Sequence, residues 1–205
     1  MRMVNQHIFE EIEKHLLSDD KPSEFLNQIS LEPVFSEFPF HMLLRLKSTE
    51  QQLEHHPEGN VWNHTVLVIN EAAKCRDKSS NPRVFMWAAL LHDIGKAVTT
   101  RKRKNKITSY DHDIIGADLA DEFLSAFGLD RRFIKAVCSL VRWHMQILFV
   151  VKDLPFADIR AMKEQTNIDD VALLGLCDRL GRGNVDVKKE EESILIFLSK
   201  VKQPY

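Results

Sequence analysis

Val84-Phe85-Met86-Trp87-Ala88-Ala89-Leu90-Leu91-His92-Asp93-Ile94-Gly95-Lys96 passes from an unbroken apolar octet straight into two polar residues. Eight apolar residues fall well short of the roughly 18 that a membrane span needs, so the octet reads as a buried helix. Asn81 precedes it as a natural cap, and Pro82 takes the first helical position. His92 follows Ala88 by four residues and Phe85 by seven. It therefore continues the apolar face instead of leaving it.

The same pattern recurs on the neighbouring segments. His64 lies three residues after Val61, four before Val68 and eight before Ala72. His112 precedes Ile115, Gly116, Leu119 and Phe123 at helical spacing, and His144 follows Ile134, Val137 and Val141. Asp178 follows Val171 by seven and Leu174 by four. Five segments thus each point a His or Asp along their own apolar stripe. Any one of these alone reads as a satisfied core histidine or a capping aspartate. Together they point to one shared cause, because buried imidazoles and carboxylates are costly without compensation. A divalent cation supplies it: it neutralises carboxylates and binds neutral imidazole. A His/Asp set without Cys suits Mn, Fe, Co, Ni, Zn or Mg, one ion or two.

The surroundings are predominantly helical. Helices are predicted over 61–76, 82–93, 111–127, 130–144, 155–164, 168–181 and 188–201, with Gly128 closing the helix before it. Two or three short amphipathic helices are predicted in residues 1–50, where Phe9, Ile12, Leu16 and Leu17 recur and Pro22, Pro33 and Pro39 punctuate. The expected organisation is an all-α fold: a helical annex over 1–50 and the site-bearing domain over 51–205. The one charge run, Arg101-Lys102-Arg103-Lys104-Asn105-Lys106, falls in the longest loop and reads first as a solvated, mobile segment.

Over 205 residues, 28 Lys and Arg balance 30 Asp and Glu, a formal charge of -2. This balance argues against a dedicated nucleic-acid-backbone binder. With 44% hydrophobic and 28% charged residues the chain reads as globular. Cys75, Cys138 and Cys177 are odd in number and scattered, which argues against a disulfide framework. No signal-peptide stretch follows Met1-Arg2-Met3-Val4-Asn5. A cytoplasmic protein without a membrane partner is the expectation.

The order His64 … His92-Asp93 … Asp178 resembles the HD superfamily of metal-dependent phosphohydrolases. The flanking text is closer still to the HD domain attached to bacterial CCA-adding enzymes. His55-His56-Pro57-Glu58-Gly59-Asn60-Val61-Trp62-Asn63-His64-Thr65, Leu91-His92-Asp93-Ile94-Gly95-Lys96-Ala97, Tyr110-Asp111-His112-Asp113-Ile114-Ile115-Gly116-Ala117 and Asp178-Arg179-Leu180-Gly181-Arg182-Gly183 all look like that group. The nucleotidyltransferase head of those enzymes has no counterpart in the fifty residues ahead of this text, so CCA addition is not carried over.

The resemblance implies a first metal held by His64, His92, Asp93 and Asp178. It implies a second at His112 and His144 in some branches, with Asp93 bridging. It also implies a phosphohydrolase in which metal-activated water attacks a nucleotide-type phosphate ester, as a phosphomonoesterase or 2′,3′-cyclic phosphodiesterase. The alternatives are dinuclear hydrolysis of dinucleoside polyphosphates or cyclic dinucleotides, and an accessory module that binds nucleotide or an RNA end with little turnover. Asp93 and Lys96 are the candidate catalytic residues. Lys96, Arg179 and Arg182 are the candidate substrate-phosphate contacts. His55 and His56 sit where they could line the pocket mouth.

Overall fold

A computed structural model describes residues 2–104, 106–183 and 185–203. Met1 and Asn105, which belong to stretches read above, lie outside the described residues. The chain folds as α1 (Arg2–Ser18), α2 (Pro22–Ile29), α3 (His41–Leu44), α4 (Val61–Ala73), α5 (Pro82–Leu91), α6 (Lys96–Thr99), β1 (Arg101–Arg103), β2 (Lys106–Thr108), α7 (His112–Ser125), α8 (Arg131–Trp143), α9 (Gln146–Val151), α10 (Ile159–Gln165), α11 (Ile168–Leu180) and α12 (Val187–Val201). Short 3-10 turns at Pro33–Ser36, Arg45–Ser48 and Arg76–Lys78 join them. The fold is all-α, as expected, with one small antiparallel hairpin added.

α5 is the axis. Every residue from Val84 to Leu91 is buried, so this helix is apolar all round and must be enclosed. α4 and α8 pack directly on it, α7 packs on α8, and α11 lies on α4. Its N-terminus forms as its sequence dictates: Asn81 accepts from the Val84 N–H at 3.2 Å, with Pro82 inside the first turn. α4 is capped the same way by Asn60, which accepts from Asn63 N–H at 2.8 Å.

The N-terminal helices enter the same core. Phe9 stacks on Trp87 with ring centroids 4.5 Å apart and touches Phe127 at the same separation. Trp87 Nε1–H donates to Glu13 Oε2 at 2.8 Å, so the indole keeps its polar edge satisfied while its body is buried. α1 runs for 17 residues, longer than the short helices expected there. Its buried face is Phe9, Ile12 and Leu16.

Other departures have local causes. The segment after Ala73 tightens into a 3-10 turn instead of continuing to residue 76. α10 starts at Ile159, not 155, because Asp158 caps it by accepting from Ala161 N–H at 3.0 Å. The charged run is a β-hairpin, not a loop: Arg101 pairs with Thr108 and Arg103 with Lys106. Its exposed cationic side chains suit a two-stranded edge that must not recruit a third strand. Arg131–Val151 reaches the length and mean hydropathy, 1.4, of a membrane span. It is broken by a turn at His144 and Met145, and 56% of the window is buried inside the fold, as in a core helix.

Candidate metal centre

The ends of α4, α5, α7, α8 and α11 meet around one carboxylate, Asp93. It sits in the turn just past α5 and is 1% exposed. Around it stand His92 Nε2 at 3.3 Å, His112 Nε2 at 3.5 Å, His64 Nε2 at 3.8 Å and His144 Nε2 at 3.9 Å. Two donor groups share it: His64, His92 and Asp93, and Asp93, His112 and His144. Asp178 closes the first group from α11, with Oδ1 3.0 Å from His64 Nε2.

Three of these imidazoles are oriented by their own backbone. His92 Nδ1–H donates to Ala89 O at 2.8 Å, His112 Nδ1–H to Ser109 O at 2.6 Å and His144 Nδ1–H to Val141 O at 2.6 Å. In each case the carbonyl lies three residues earlier. One local hydrogen bond fixes the tautomer and aims the Nε2 lone pair at the centre, as outer partners of metal-bound imidazoles do. His92 Nε2 and His112 Nε2 are buried and have no hydrogen-bond partner among the described residues. A cation is the partner that this donor chemistry fits.

His64 is held differently. Its Nδ1 lies 2.8 Å from Glu58 Oε1, and the same oxygen accepts from His56 Nδ1–H at 2.8 Å. With Glu58 on one nitrogen, His64 Nε2 faces Asp178 at 3.0 Å and Asp93 at 3.8 Å. Burial pulls the His64 pKa down, but Asp178 and Glu58 outweigh it and hold it above the usual histidine value. His112 and His144 go the other way. Burial lowers both, and His144, with the His112 and His92 rings acting in the same direction, is pushed down to about 3. Both rings are therefore neutral at neutral pH. Burial raises Asp93 and Asp178, yet cationic neighbours outweigh it: Lys96 and His92 hold Asp93 well below the carboxylate range, and Arg182 and His64 do so for Asp178.

A cleft of about 330 Å³ opens over these groups. Its floor is anionic and its rim cationic. Lys96 Nζ sits 2.7 Å from Asp93 Oδ2 and donates to Gln51 Oε1 at 2.8 Å. Arg182 reaches Asp178 at 3.1 Å, and its buried Nε–H has no partner among the described residues. Lys152, His55 and His56 complete the wall.

The structure therefore gathers His64, His92, Asp93, His112, His144, Asp178, Lys96 and Arg182 at one place. It does not bring Arg179 there. That guanidinium is buried, pairs with Glu190 Oε2 at 2.9 Å and donates to Gly175 O. The reason is angular: Arg182 is one turn beyond Asp178 and shares its face, whereas Arg179, one residue on, is rotated about 100° away. Gln51 and Glu58 are the partners that the sequence reading missed. Gln51 carried no signal. Glu58 belonged to the polar stretch before α4, but nothing in its spacing tied it to His64.

Residues 61–182 match the family described as HD domain, whose members are metal-dependent hydrolases. Among curated proteins, the "Multifunctional CCA protein" of Actinobacillus pleuropneumoniae serotype 5b (strain L20) is 32% identical over 123 residues, 58% of this chain and 28% of that protein. The protein of the same name from Alkalilimnicola ehrlichii is 26% identical over 148 residues, 70% of this chain and 33% of that protein. That from Halorhodospira halophila is 33% identical over 95 residues, 46% and 21% respectively. The chain spans a third or less of the length of these relatives. With the family match covering more than half of its residues, the chain belongs to the HD domain family.

Proposed function

We propose that this chain is a metal-dependent phosphohydrolase of nucleotide-type phosphate esters, acting as a phosphomonoesterase or a 2′,3′-cyclic phosphodiesterase. The observation that carries the reading is the convergence of backbone-locked imidazoles on Asp93 beneath a cationic rim. His64, His92, Asp93 and Asp178 would hold one divalent cation, and Asp93, His112 and His144 a second. When bound, the metal supplies Lewis acidity that acidifies water and offsets phosphate charge. The ion is Mn, Fe, Co, Ni, Zn or Mg.

The chain's own groups do the rest. Asp93 stays ionised and orients the attacking water by accepting its hydrogen bond. Lys96 and Arg182 rest on the site's carboxylates and turn their charge to the non-bridging phosphate oxygens. Residues 1–50 act as a packing annex to the site-bearing residues 51–205. The shared Asp93 also favours a second reading, dinuclear hydrolysis of dinucleoside polyphosphates or cyclic dinucleotides. The exposed cations of the hairpin favour an RNA end as a larger partner.

The test is a product-mass screen of purified protein. The panel holds nucleoside monophosphates, 2′,3′-cyclic nucleotides, dinucleoside polyphosphates and cyclic dinucleotides, each with Mn, Co, Ni or Mg. Asp93→Ala is the control. Turnover of the first two classes that vanishes in the control is the expected result. No turnover with metal retained would replace the reading with a binding module.

A further inference from the structure

A second, larger cavity of about 610 Å³ adjoins the metal cleft. The two share His55, Ser109, His112, Met145 and Leu148, so a molecule seated on the metal side runs directly into it. The chemistry changes across that boundary. The lining of the larger cavity includes Leu148, Phe149, Leu154, Phe156, Tyr110 and Ile114. Phe156 is 65% exposed and Tyr110 78% exposed, and Phe149 supports Phe156 with centroids 5.6 Å apart. Leaving two large rings open to water is costly unless a partner covers them.

Polar residues punctuate this groove, but its open surface is mainly apolar. Arg142 pairs with the buried Asp113 and lies over the Trp143 ring at 4.5 Å. An apolar slot with aromatic faces and a small number of anchored polar groups is the usual design for a flat heterocycle.

We infer that this groove is the base subsite of the phosphohydrolase proposed above, holding the nucleobase of a single nucleotide against Tyr110 and Phe156 while its phosphate sits over Asp93. The inference rests on that reading for the phosphate and on the groove's own geometry for the base.

The test measures binding, not turnover. The protein is loaded with Mn and titrated with the non-hydrolysable methylene phosphonates of adenosine and of ribose, which differ only in the base. The parent is expected to bind the adenosine compound at least about tenfold more tightly, in line with the worth of one base–aromatic stack. Phe156→Ala and Tyr110→Ala, both at exposed positions, should each remove most of that preference and leave ribose-compound affinity within about twofold. Equal affinity of the parent for the two compounds would overturn the subsite alone. So would a loss shared equally by both compounds in the variants. Failure of both compounds to bind would overturn the nucleotide reading with it. A base preference that survives while the screen shows no hydrolysis would leave the subsite standing and remove the hydrolase.

Discussion

Replacing Gly95 by alanine would separate space from backbone conformation at the metal centre. Gly95 has φ -64° and ψ -24°, ordinary right-handed helical values that any residue adopts. On conformation alone, alanine should stabilise this position by up to about 1 kcal/mol. Space forbids it. A Cβ would lie 2.1 Å from His112 O and 2.7 Å from Gly116 N, both backbone atoms of α7. Ordinary contact begins near 3.4 Å, so the turn bearing Asp93 and Lys96 must part from the start of α7 by about 1.3 Å. Overpacking of that kind against backbone atoms, which cannot rotate away, falls in the upper part of the usual range, roughly 2–3 kcal/mol. After the conformational gain, a net loss of about 1–2 kcal/mol remains, or roughly 2–8 °C in Tm for a domain of this size. The same parting pulls His112 Nε2 away from Asp93, 3.5 Å distant in the parent. A misplacement of about 1 Å costs on the order of a hundredfold in rate. The assay is a thermal melt beside the metal content of dialysed protein. Gly95→Ala with the parent's Tm and metal stoichiometry would refute the reasoning.

Asp93→Ala should lose metal and turnover while circular dichroism stays helical; retained metal would remove Asp93 from the centre. Lys96→Ala should keep its metal and lose substrate affinity or rate, and metal loss in that variant would make its role structural. His112→Ala and His144→Ala should each lower bound metal by one equivalent under saturating conditions, whereas unchanged stoichiometry in both leaves a single-metal site. Arg179→Ala should cost about 2 kcal/mol by stranding Glu190, with substrate affinity intact, while Arg182→Ala should lower both substrate affinity and stability, because it also strands Asp178. The metal-free protein should weaken as pH falls. His144 titrates near 6.5 when unfolded but is held at about 3 when folded, so between those values only the unfolded chain takes up the proton. His64 opposes this: its raised value adds stability below pH 6.5 that is lost as pH rises through the folded value. The urea midpoint of metal-free His144→Gln should therefore fall less steeply from pH 6.5 to 4 than the parent's, and equal slopes would count against the neutral, buried ring.

Helical spacing made much of this legible. His64, His92, His112, His144 and Asp178 stand out because each interrupts an apolar stripe without leaving it, and that pattern survives in one dimension. Asp93 was legible only through its neighbour His92, since it lies in a turn where periodicity says nothing. Arg182 and Arg179 could have been told apart by the same spacing, four residues against one from Asp178. The hairpin was hidden because its strands are three residues long and its exposed side chains carry no alternation. Gln51 and Glu58 were hidden for a different reason. They act by crossing from the loop before α4 to α6 and His64, and no local pattern encodes a tertiary hydrogen bond.

His64 and Asp178 touch although they lie 114 positions apart in the chain. Closing so long a loop costs entropy that a single contact between two side chains does not repay. An ion cannot template such a site from the extended chain. The helices must arrive first, three of the imidazoles already presented through a bond to their own preceding turn. Loading and unloading should then be traffic through a finished doorway, on a clock separate from that of the fold itself.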